Sequence, residues 1–110
     1  MRSLVERYAE ETVADERRLG CMVVNAAVEL SAHDTAAARF VEASWSHLED
    51  ALTSALVRAQ AQKELGEEAD PRALARFLLV FFQGLRVLGR APTDPARARD
   101  AARQVLALLR

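Results

Sequence analysis

The sequence predicts an all-α fold of about five helices, on three observations. Alanine and leucine dominate a chain that is 51% hydrophobic and only 5% aromatic, with few Val, Ile or Thr runs of strand type. Apolar residues recur at steps of three and four over long stretches. Two Asp-Pro pairs, Asp70-Pro71 and Asp94-Pro95, each join an N-capping carboxylate to a proline at the first helical position. At 110 residues the chain is read as a single domain, 1–110, large enough for one core.

The first predicted helix runs from about Leu4 to Asp15, opened by a Ser3/Glu6 capping box. The second, from about Cys21 to Ala32, is apolar except for Asn25, Glu29 and Ser31. Cys21, Asn25 and Glu29 share one stripe at i, i+4 and i+8, with Met22 at its edge. His33 ends this helix and Asp34 can cap a third, placed at about Thr35 to Leu65. Its apolar stripe is Val41, Trp45, Leu48, Leu52, Ala55, Leu56 and Ala59, and Gly66 is expected as its left-handed cap. The opposite face, with Glu42, Ser46, Glu49, Asp50, Thr53 and Gln60, reads as wet.

The fourth helix, entered at Pro71, holds the strongest signal. From Leu74 to Gly89 its polar side chains, Arg76, Gln83 and Arg86, fall within an arc of about 80° at about 100° per residue. Leu74, Leu78, Phe82 and Leu85 form one apolar face. Phe77, Val80, Val87 and Leu88 form another, with Phe81 between them. A helix packed on one side needs a single apolar stripe, so this one requires two partners. Either it is the hub of its own protomer, or one face is a two-fold contact with a second copy. A loop around Gly89 to Pro92 leads to the fifth helix. Its stripe of Ala98, Ala101, Ala102, Val105 and Leu109 is small enough in its first half for close packing.

A net charge of −1 and a pI near 6.1 give no electrostatic case for direct binding to nucleic acid or an anionic membrane. The 74–89 run is too short and too interrupted to span a bilayer. A single cysteine excludes an intrachain disulfide, and no secretory leader is recognisable, so a cytoplasmic location is expected. Two histidines, with no paired metal-ligand spacing and no glycine-rich phosphate loop, point away from a metal, a cofactor or an enzyme. The Cys21/Asn25/Glu29 stripe must face water, an internal partner or a cavity. Trp45 is either ordinary core or the wall of a pocket. Cys21, at a helix N-terminus, is a buried small hydrophobe or a thiol with a favoured thiolate.

The run Gly20 to Leu30, then His33-Asp34, the long third helix, Asp70-Pro71 leading into Phe77 to Leu88 with Gln83-Gly84-Leu85, and a final Ala/Leu helix resemble the C-terminal domain of the TetR family of transcriptional regulators. The resemblance covers essentially the whole chain. It implies a domain that binds a small effector and dimerises through its last two helices, here Leu74, Leu78, Phe81, Phe82, Leu85, Ala98, Ala102, Val105 and Leu109. It places a small apolar effector against Cys21, Met22, Asn25 and Trp45. Some members with a cysteine at the position resembling Cys21 respond to oxidants. DNA would be reached only through an N-terminal helix-turn-helix domain that is expected to be absent from this chain, as in a truncated regulator. A stand-alone dimerisation module, pairing with full-length relatives and binding no ligand, is the other expectation.

Overall fold

A computed structural model describes residue 29, residues 33–89 and residues 94–109, all-helical apart from turns and caps. Three helices lie in this part: α1 (Thr35–Ala61), α2 (Pro71–Leu88) and α3 (Pro95–Leu108). They correspond to the third, fourth and fifth predicted helices. The first two predicted helices lie outside the described residues, except that Glu29 is helical and exposed.

The capping chemistry is as the sequence implies. Asp34 Oδ1 accepts from the backbone N–H of Ala36 and Ala37 at 2.9 and 3.2 Å. Asp70 does the same for Arg72 and Ala73, and Asp94 for Ala96 at 2.9 Å. Each carboxylate satisfies donors that have no partner within the helix, and the prolines at 71 and 95 remove one further donor.

The C-terminus of α1 departs from expectation. The helix stops at Ala61, and Gly66 does not adopt the left-handed conformation. Lys63 takes it instead, at φ 63°. The Lys63 N–H donates to the Gln60 carbonyl and the Glu64 N–H to the Ala59 carbonyl, the paired bonds of a Schellman cap. The reason is Leu65. A continued helix would carry Leu65 about 180° around from Leu56, out of the core. The early turn returns it, and Leu65 is buried beside Leu56 in one cluster. Gln60 Nε2 fixes the turn by sharing its hydrogens among the carbonyls of Gly66, Glu67 and Ala69 at 2.9 to 3.2 Å.

A lysine in the left-handed region costs about 1 kcal/mol or more, because its Cβ crowds the following carbonyl. Lys63→Gly is therefore expected to stabilise the fold by about 1 kcal/mol, the relief exceeding glycine's extra freedom in the unfolded chain. Thermal melting followed by circular dichroism should show a rise of roughly 4 °C.

α1 and α2 form a helical hairpin, and α3 packs against it, with Leu108 near its end reaching the α1–α2 turn. Leu52 and Leu56 of α1, with Leu65, meet Ala75, Leu78, Phe82 and Leu85 of α2 and Ala98, Ala102 and Val105 of α3 in one buried cluster. Along its edge, Glu49 accepts from Arg72 at 3.0 Å and from Arg76 at 3.1 Å, while Asp50 accepts from Arg72 at 2.8 Å. These bonds, to Asp50 first and then Glu49, push the Arg72 guanidinium pKa further up and hold it charged. Glu49 thus belongs to the helix contact rather than to a wet face, its side chain only 19% exposed.

Candidate association face and effector site

The two apolar faces of α2 have different fates. Ala75, Leu78, Phe82 and Leu85 are buried in the protomer's own core, Leu78 and Phe82 completely. On the other side Phe77, Val80 and Val87 are 43%, 71% and 50% exposed. With Ala73 and Gly84, both exposed, they form a line at 73, 77, 80, 84 and 87 whose alternating steps of four and three keep it straight along the helix. The line carries no charge. The arginines at 72 and 76 are turned toward Glu49 and Asp50 on α1.

Of the nine residues that the sequence nominates for an interface, six are already covered within one chain: Leu78, Phe82, Leu85, Ala98, Ala102 and Val105. Leu74, Phe81 and Leu109 are partly buried against the same cluster. Phe81 leans on Phe82, with ring centroids 5.7 Å apart, at the border between the core and the outer face. Beyond α2, the large apolar side chain of Leu108 on α3 is 66% exposed.

Of the expected effector residues, Cys21, Met22 and Asn25 lie outside the described residues. Trp45 is half-buried on α1, and its indole Nε1 is shielded from solvent without a hydrogen-bond partner among the described residues. Gln83 Oε1 on α2 is in the same condition. Gln83 falls within about 20° of Arg72 and Arg76 around α2. Trp45 is one turn from Glu49, their partner on α1, so the indole donor and the amide acceptor lie along facing edges of the hairpin. Sequence patterning does not expose Gln83 as a site residue, because a glutamine beside two arginines reads as part of a solvated arc.

A cleft of about 370 Å³, open to solvent, lies at the α1–α2 turn between Leu65, Ala69, Ala73, Leu74 and Leu108. It contains none of the residues expected to hold an effector. His33 and His47 are exposed, and the described residues contain no group of three His, Cys, Asp or Glu side chains that could hold a metal ion. Arg103 pairs with Asp100 along the exposed side of α3. Among the described residues, no helix is long and apolar enough to cross a membrane.

A helical hairpin packed against a third helix, with one apolar face of α2 buried and the other exposed, defines an all-α domain. The family model for the tetracyclin repressor-like C-terminal domain matches residues 1–105. The chain belongs to this family, the C-terminal domains of TetR-type transcriptional regulators. It is 38% identical over 86 residues to the uncharacterized HTH-type transcriptional regulator YezE of Bacillus subtilis (strain 168), the match covering 77% of this chain and 44% of that protein. The chain thus spans less than half the length of that relative. No solved structure matches it.

Proposed function

We propose that this chain is the regulatory half of a TetR-like transcriptional regulator: it dimerises through the outer face of α2 and takes a small apolar effector beside Trp45. It acts by binding, without catalysis. The observation that carries the reading is the exposed, uncharged line of Phe77, Val80 and Val87. Burying a large apolar side chain yields roughly 1.5 to 3 kcal/mol, and two copies contribute every such residue twice. The Trp45 N–H and Gln83 carbonyl, both without a partner among the described residues, support the effector half of the reading. A buried polar group without a partner costs about 1 to 3 kcal/mol, which a bound molecule with one acceptor and one donor would recover. DNA contact belongs to a part of the regulator outside residues 1–110, in keeping with the helix-turn-helix name of the relative.

Sedimentation equilibrium tests the first half. A dimer at micromolar concentration is expected, and a monomer there would remove the proposal. Trp45 is the sole tryptophan, so its emission reports on the site without a label. Titration with small neutral aromatic alcohols and amides should shift or quench it, and Gln83→Leu should weaken the response. Dimerisation with no response from any of these probes would favour the ligand-free association module.

A further inference from the structure

Gly84 lies in the interior of α2, with a further turn of helix after it. Glycine there costs roughly 0.5 to 1 kcal/mol relative to alanine, because it gives up more backbone freedom on folding. Nothing among the described residues requires it. Its backbone is not left-handed, and a Cβ built on it would meet no atom within 4 Å. The glycine therefore weakens the helix at a point where the described residues leave room for a Cβ. That point is the exposed apolar line, between Val80 and Val87.

We propose that Gly84 is where α2 crosses α2 of a second copy, the two backbones meeting directly at the two-fold axis. The inference rests on the dimer reading above and specifies its geometry. In a two-fold contact the residue at the axis faces itself, so it must be self-complementary, and the missing side chain lets two helices approach toward the short end of the usual 8–10 Å separation or closer. Val80 and Val87 then flank the crossing by about 6 and 4.5 Å along the axis, and in antiparallel copies Val80 comes level with the mate's Val87. Phe77 covers the rim. Charge favours an identical partner as well. The line itself is neutral, and Arg72 and Arg76 of each copy are engaged with Glu49 and Asp50, so identical faces meet without like charges opposed.

Gly84→Ala and Gly84→Leu separate this from any role within the protomer. Both raise helix propensity, and position 84 is exposed with no described atom within 4 Å of a Cβ, so helicity by circular dichroism should hold or increase. The dimer dissociation constant from sedimentation equilibrium should nevertheless rise by about tenfold for alanine and a hundredfold for leucine, since a side chain at the crossing overpacks it. If the unmodified chain dimerises and Gly84→Leu dimerises as tightly, the crossing lies elsewhere and the inference is overturned while the dimer reading stands. A chain that is monomeric before any substitution overturns both.

Discussion

Phe82→Ala is expected to remove about 3 to 5 kcal/mol of folding stability, a large part of what a domain of this size possesses. Phe82 has no solvent exposure and is the bulkiest fully buried side chain among the described residues. It stands in the cluster where all three helices meet, with Leu52 and Leu56 from α1, Leu78 and Leu85 from α2 and Val105 from α3. Truncation loses the transfer free energy of the ring and leaves a cavity that rigid helices on every side fill only in part. Urea denaturation should show the midpoint falling with its slope unchanged. A loss below about 1 kcal/mol would mean that the site collapses freely, or that Phe82 does not hold this core.

The same burial fixes how charged substitutions on this face are to be understood. Leu78→Glu or Phe82→Glu would place a carboxylate among apolar side chains with no partner. Both should unfold the protomer, so any lost association in these variants reports lost folding. Sequence periodicity shows that α2 has two apolar faces, since period and composition are local. It does not say which face meets α1, because that depends on the turn at Lys63 and on the Glu49 to Arg72 and Arg76 bonds, contacts between residues more than twenty positions apart. The helix starts were legible for the opposite reason. Asp34, Asp70 and Asp94 bond only to N–H groups two or three residues on.

The helix end at Ala61 was not legible from Gly66. A glycine is the default left-handed cap, but the demand to bury Leu65 acts earlier in the chain and accepts strain at Lys63. Glu49 reads as solvated for a related cause: on α1 alone it lies away from the apolar stripe, and only the placement of α2 brings two arginines to it. Trp45 was legible as a choice between core and pocket wall. Its shielded Nε1, without a hydrogen-bond partner among the described residues, is a polar feature that periodicity does not show.

Val80→Glu should separate two copies of the chain while leaving each one folded. Val80 is the most exposed large apolar residue of α2, at 71%, so its replacement removes almost nothing from the protomer's core. Substitutions at such positions change folding stability by no more than about 0.5 kcal/mol. At the proposed two-fold contact the same change introduces two carboxylates, one from each copy, close to the axis and without a counter-charge on the apolar line. An uncompensated buried charge costs about 3 kcal/mol or more, which weakens association by at least about a hundredfold. Sedimentation equilibrium should therefore give a monomer for Val80→Glu at a concentration where the unmodified chain is dimeric, with equal helicity in both. The loss should be pH-dependent in one direction. As pH falls toward the ordinary glutamate range near 4.3, protonation removes the charge and association should recover relative to the unmodified chain. Tight association at neutral pH would exclude this face as the contact. The contrast with Phe82→Ala is the decisive one: residues two positions apart on one helix should fail differently, one in folding and one in assembly, because they lie some 160° apart around its axis.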